Sequence, residues 1–233
     1  MKLFNKKGNE DEGTSYWISF SDLMSGLLIV FILLFIFKLF DYQSSLEQKE
    51  QIIQQITDTR GQIVEKLQEE FDQENMDMQI DPKTGAITLS EGILFDFGKS
   101  ELKNEGKVFL QNFIPVYMKK LMEDPDIRDN ISQIIIEGHT DNEGDIGGNQ
   151  YLFNLKLSQE RAYSVSEYVL SNNIQYEYKE NLQTLLTANG RSYSDPVYND
   201  DNSINNDKSR RVEIKFRLKE EEALLRIQQE LEK

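Results

Sequence analysis

A chain of 233 residues has room for one membrane-length segment, a connector and one soluble domain of ordinary size. Its formal net charge of -15 argues against a nucleic-acid partner, because gripping phosphates needs a basic surface. The absence of cysteine removes disulfides, thiol catalysis, thiolate metal sites and the lipid-modified cysteine of a lipoprotein anchor.

In chain order, residues 1–14 read as a polar tail carrying Lys2, Lys6 and Lys7. Residues 15–40 read as a transmembrane helix. About 22 residues from Tyr16 reach roughly 33 Å as a helix, close to the hydrocarbon thickness of a bilayer. Every residue from Leu27 to Phe37 is Leu, Ile, Val or Phe. Tyr16 and Trp17 suit one interface and Lys38 the other. A cleaved signal peptide fits poorly, since the apolar stretch is too long and no small-x-small site follows. The basic bias ahead of the helix, against Lys38 and Lys49 behind it, favours a cytoplasmic N-terminus with the larger part of the chain on the far side.

Asp22 breaks the apolar pattern. An ionised Asp at the bilayer centre costs about 2.5–3.5 kcal/mol on the lenient insertion scale, so such groups persist where they carry ions. Ser15, Ser19, Asp22 and Gly26 are spaced 4, 3 and 4, which puts them on one small, polar helical face. A small face lets another helix approach closely and turns Asp22 towards protein. The plainer alternative is an interfacial Asp snorkelling to the cytoplasmic side.

Residues 41–74 read as a helical linker. Leu46, Ile53 and Leu67 share a heptad position, with Ile56 and Ile63 three residues beyond it, a narrow seam that suits a partner helix. The alternative is a solvated helix that pairs with nothing. Residues 75–218 read as a folded α/β unit. Strands are expected at 86–89, 93–97, 132–137, 184–188 and 212–217. Helices are expected at 101–122, kinked or split at Pro115, and at 158–171 with Ser158 as N-cap. Residues 219–233 read as a terminal amphipathic helix with a stripe of Ala223, Leu224, Ile227 and Leu231.

The local chemistry is sparse. His139, Thr140 and Asp141 leave the end of a buried strand, but His139 is the sole histidine and has no His or Cys to share a metal with. Asp141, Asn142, Glu143 and Asp145 lack the twelve-residue calcium-loop pattern. No nucleophile-base pair, phosphate loop or catalytic carboxylate pair stands out, so no metal, cofactor or enzymatic role is expected.

Five stretches carry a family resemblance: "ILFDFGKSEL", "IIIEGHTDNEG", "NLKLSQERAYSVSEYVL", "NGRSYSDP" and "SRRVEIKF". Together they resemble the OmpA-like peptidoglycan-binding domain. That resemblance implies an α/β (α+β) fold, a β-α-β-α-β-β mixed sheet with helices on one face. It also implies that Asp141 and Arg161 grip the diaminopimelate residue of the peptidoglycan stem peptide, whose ammonium and carboxylate match one acid and one guanidinium. Thr140 in the same loop and Asn154 are implied to line the pocket. Ser209-Arg210-Arg211 departs from the family's Asn-Arg-Arg, and Asn189-Gly190-Arg191 departs from its glycine motif.

A single helix with a buried Asp ahead of such a domain resembles the B subunits of ion-driven stators, flagellar MotB among them. "WISFSDLMSGLLIVFILLF" is similar to the B-subunit family of the Zorya anti-phage systems. The resemblance implies a homodimer in the bacterial inner membrane, ringed by a multi-span A subunit as five A to two B. It implies an ion, H+ or Na+, carried on Asp22 while the outer domain holds peptidoglycan. A passive wall anchor, a flagellar stator and a transport-coupled channel of the TolR and ExbD kind stand as alternatives.

Overall fold

The computed structural model describes residues 10–76, 78–143 and 148–231, with side chains described for 16–76, 78–143 and 148–225. Asp145, the side chains of Ser15, Ile227 and Leu231, and the tail lysines therefore lie outside the described residues. The chain divides into two compact units, Met1–Gln51 and Ile52–Lys233.

Helix α1 is assigned to Glu10–Gln73. In the first unit its apolar side chains have no protein cover: Trp17 is 66% exposed, Leu27 63% and Phe37 66%. This is the one helix among the described residues long and apolar enough to cross a membrane. Because the segment is helical through residues 19, 22 and 26, its 3.6-residue period places those three on one face. A Cβ added at Gly26 would meet nothing within 4 Å.

The second unit begins inside the expected linker. Ile56, Ile63, Leu67 and Phe71 belong to the hydrophobic core, with Leu67 and Phe71 fully buried. The Phe71 ring lies 5.7 Å from that of Phe113. Lys66 pairs with Asp124 at 2.7 Å and Glu70 with Lys120 at 2.9 Å. The seam expected to face a partner helix thus faces the chain's own domain over these residues, while Leu46 and Ile53 stay exposed. The reason is that one apolar stripe serves equally to meet a helix or to cover a domain.

The remaining elements are β1 Ile87–Ser90, α2 Glu91–Leu94, α3 Asn104–Glu123, α4 Pro125–Arg128, β2 Ile131–His139, α5 Gln150–Leu170, α6 Lys179–Leu185, β3 Leu186–Gly190, α7 Asn206–Ser209, β4 Arg211–Leu218 and α8 Lys219–Leu231. The sheet runs β1-β4-β2-β3, with β2 and β3 parallel and the other neighbours antiparallel. This is the expected mixed β-α-β-α-β-β sheet. Ile134, Ile136, Val212, Ile214 and Phe216 face the helices and join the core. The opposite face carries Gln133, Glu137 and His139 of β2 in register with Arg217, Glu213 and Arg211 of β4. Period-2 alternation decides both faces.

Several local expectations are corrected. Residues 93–97 do not form a strand. They contribute the end of the one-turn helix α2 and one isolated bridge, Phe95 to Leu102. A helical turn there sends adjacent Leu94 and Phe95 into the core and leaves Ile93 and Phe97 exposed, which a strand's alternation would not allow. Helix α3 starts at Asn104 and runs through Pro115 without a break. The carbonyl that Pro115 deprives of a donor belongs to Gln111, an exposed residue able to turn it to water. Ser158 is not an N-cap. Helix α5 begins two turns earlier, where Asn149 Oδ1 accepts from the Leu152 amide at 3.1 Å. Tyr151, Leu152 and Phe153 in those turns are exposed, so no inward stripe announced them.

Candidate functional site

The site is assembled where β2 ends beside α5. Two glycines set the distance between them. A Cβ on Gly138 would lie 2.1 Å from the Ser158 carbonyl oxygen, and one on Gly190 would lie 2.5 Å from the Gln159 amide nitrogen. Helix α5 therefore rests directly on the ends of β2 and β3. Ser158 Oγ donates to the Leu155 carbonyl at 2.9 Å and accepts from the Ser192 amide at 2.9 Å. The Ser192 carbonyl in turn receives the Thr140 amide at 2.9 Å. Thus the helix that carries Asn154 and Arg161 is tied to the loop that carries Thr140 and Asp141.

All four residues are deeply buried: Arg161 is 1% exposed, Thr140 3%, Asn154 4% and Asp141 7%. Asp141 and Arg161 form no direct ion pair with each other. Arg161 Nη2 donates to Glu91 Oε1, and its Nε donates to the Lys99 carbonyl at 2.9 Å. The guanidinium also sits over the Phe95 ring, 5.4 Å from its centroid. Arg210 links the two halves: its Nε lies 2.9 Å from Glu91 Oε2, its Nη1 donates to Asp141 Oδ2, and its Nη2 to Asp207. The result is a continuous chain of alternating charge, Arg161, Glu91, Arg210, Asp141.

Burial drives the Arg161 pKa below its ordinary value, with Glu91 and then Asp141 working against that shift. For Arg210, burial also opposes the charge, but Asp141, Glu91 and Asp207 outweigh it and the pKa rises. Both guanidinium groups stay charged at any physiological pH. Thr140 Oγ1 and Asn154 Nδ2 are buried without a hydrogen-bond partner among the described residues. Unsatisfied polar atoms of this kind are costly unless a ligand or water meets them.

Sequence reasoning missed Glu91 altogether and noticed Arg210 only as part of an altered motif. Glu91 sits outside any motif, as the first residue of α2. Its one signal was an acidic residue directly after a strand and three before a buried Leu-Phe pair.

On the outer face of the sheet His139 lies near two glutamates, although neither of its ring nitrogens has a hydrogen-bond partner among the described residues. Its Nε2 lies 3.8 Å from Glu137 and 3.7 Å from Glu213, and the three offer ligand atoms within 4.8 Å of one another. Lys215 already supplies the cation there, 2.5 Å from Glu137 and 3.7 Å from Glu213. Burial, and then Arg211, push the His139 pKa down to about 4, so it is neutral at pH 7.

Comparison with known proteins agrees with both halves of the chain. Residues 94–210 match the OmpA family, and residues 4–59 match the family described as membrane MotB of the proton-channel complex MotA/MotB. Zorya protein ZorB of Escherichia coli strain ATCC 8739 is 29% identical over 88% of this chain and 89% of that protein. Zorya protein ZorB of Escherichia coli O139:H28 is 30% identical over 91% of this chain and 84% of its own length. Among solved structures, a MotB-like protein from Desulfovibrio vulgaris superposes with a TM-score of 0.51 at 20% identity, covering 70% of this chain and 93% of that one, which speaks for the fold. With identity of this extent to the ZorB proteins along nearly its whole length, the chain belongs to the ZorB family, and its residues 94–210 to the OmpA family.

Proposed function

We propose that this protein is the B subunit of an ion-driven motor of the MotA/MotB stator type, serving Zorya anti-phage defence. It crosses the bacterial inner membrane once, with the N-terminus in the cytoplasm and the OmpA domain in the periplasm. Two copies pair within a ring of five multi-span A subunits. The observation that carries this reading is the pairing of two features in one ZorB-family chain. One is a lipid-length exposed helix with Asp22 inside its MotB-matching segment. The other is an OmpA domain in which Asp141 and Arg161 are buried and drawn into one ion chain.

The mechanism follows from charge and burial. Helices of the A subunit approach the small face of Ser15, Ser19 and Gly26 and enclose Asp22. Enclosure penalises the carboxylate's charged form and so favours uptake of a proton, or a Na+ ion, from outside. Release to the cytoplasm follows when the surroundings change. One charge crossing 100 mV supplies about 2.3 kcal/mol, enough to bias a conformational step. Meanwhile Asp141 and Arg161, with Thr140 and Asn154 beside them, hold the diaminopimelate of the stem peptide, so the B dimer stays fixed while the A ring turns.

The decisive experiment replaces Asp22 by Asn. Complexes carrying Asp22→Asn should assemble in the membrane and give no protection against phage. Full protection would refute the ion-carrying role and leave a passive wall anchor. The wall half is tested by retention of the full chain on isolated sacculi, which Asp141→Ala or Arg161→Ala should each weaken markedly.

A further inference from the structure

We infer that the Glu91 and Arg210 side chains are an internal stand-in for the zwitterionic end of the wall ligand, and that this pair selects stem peptides bringing both a free carboxylate and a free ammonium. The inference rests on the wall-binding reading above and concerns how that site chooses its ligand.

The order of charges carries the argument. From one end to the other it runs cation, anion, cation, anion: Arg161, Glu91, Arg210, Asp141. The two outer groups are the ones assigned to grip diaminopimelate. The two inner groups present them with a carboxylate and a cationic nitrogen, which is what the amino-acid end of diaminopimelate presents. The protein's own anion therefore fills the place of the ligand carboxylate, and its own cation the place of the ligand ammonium.

Burial turns this resemblance into selection. The side chains of Arg161 and Glu91 are 2% and 7% exposed. Leaving either without a counter-charge is strongly unfavourable. A ligand that displaces Glu91 must itself carry an anion to Arg161, and an amidated carboxyl brings none. The same holds for Asp141, which gives up Arg210 only to another cation.

The pair is built to exchange from the Arg210 end. Arg210 is the more exposed partner at 17%, it lies over the outward-facing Phe97 ring at 5.3 Å, and it already bonds the exposed Asp207. When Arg210 leaves Asp141 it has a solvent-side carboxylate to keep. Glu91 is held more firmly, its amide donating to the Arg210 carbonyl at 3.0 Å and its Oε1 accepting from the Gly98 amide at 3.4 Å. Arg161 keeps its bond to the Lys99 carbonyl and its place over Phe95 whichever anion it faces.

The test uses the full chain in detergent micelles, isolated sacculi, and two soluble competitors, meso-diaminopimelate and its di-amide, which keeps no carboxylate at either end. Glu91→Gln retains volume and hydrogen bonding and removes the internal anion. It should tighten competition by the free acid by about tenfold, the scale of a modest charge-pair exchange, while the amide gains nothing. Arg210→Gln should tighten binding in the same direction by freeing Asp141, and it decides the matter should Glu91→Gln prove poorly folded by circular dichroism. Unchanged or weaker binding by Glu91→Gln, or by Arg210→Gln in that event, would overturn the inference and make the pair a mere brace for Arg161. If instead wild type and the Asp141→Ala, Arg161→Ala double variant are retained equally on sacculi, the wall-binding reading itself has failed.

Discussion

Replacing Gly138 by Ala tests the construction of the site in one step. Gly138 lies in β2, where Gly is intrinsically poor and Ala would ordinarily gain from a less flexible unfolded chain. The structure reverses that sign. The new Cβ would sit 2.1 Å from the Ser158 carbonyl oxygen and 2.9 Å from its carbon, both backbone atoms that no side-chain rotation can move away. A close carbon-to-oxygen contact is about 3.3 Å, so α5 must withdraw by about 1 Å or β2 must bend. Overpacking of this kind costs about 1–3 kcal/mol, and a backbone clash belongs at the upper end. At 2–4 °C per kcal/mol for a domain of this size, the melting temperature should fall by roughly 5–10 °C. The damage should also reach function, because Arg161 lies one turn beyond Ser158 and moves with it. Thermal unfolding of the full chain in detergent, followed by circular dichroism, reads the first effect, and retention on sacculi reads the second. Gly61→Ala is the control: its Cβ would meet nothing within 4 Å and it lies inside α1, so it should raise stability by up to about 1 kcal/mol. A Gly138→Ala protein that melts at or above the wild-type temperature would refute the claim that helix and strand meet through this glycine.

Three further outcomes are expected. His139 is held neutral, its pKa pushed down to about 4 by burial and Arg211 against the pull of Glu213, Glu137 and Asp195. The native state then binds fewer protons than the unfolded one between about pH 6.5 and 4, so its contribution is complete above pH 6.5 and about 3 kcal/mol is lost as pH falls to 4. Denaturant titrations of wild type and His139→Gln across that range should diverge, and parallel curves would show that His139 does not titrate this way. Leu67→Ala should cost about 2–5 kcal/mol, because Leu67 is fully buried in the domain core, whereas Leu46→Ala, on an exposed residue, should change stability by less than about 0.5 kcal/mol. Equal effects would return the whole of 41–74 to the status of a linker. In the membrane helix, Gly26→Leu should abolish anti-phage activity while membrane-fraction blots show the protein still present, and Leu27→Phe, about 100° around the helix, should be nearly silent; like behaviour would mean the small face has been misassigned.

What could be read without the fold was local and periodic. The apolar run from Leu27 to Phe37 determined a membrane-length helix because a bilayer asks only for length and composition. Val212, Ile214 and Phe216 set against Glu213, Lys215 and Arg217 determined a strand and both of its faces, since side-chain direction repeats every two residues. The motifs around Asp141 and Arg161 marked a candidate site through resemblance. The tertiary structure alone decided who meets whom. Glu91 and Arg161 are 70 residues apart, Arg210 and Asp141 are 69 apart, and no spacing rule connects such partners. The same limit explains the stripe of Ile56, Ile63 and Leu67, which states that one face of a helix must be covered but not by what. It explains Gly138 as well: a missing Cβ matters only once Ser158, twenty residues on, has been brought to 2.1 Å of where that carbon would be.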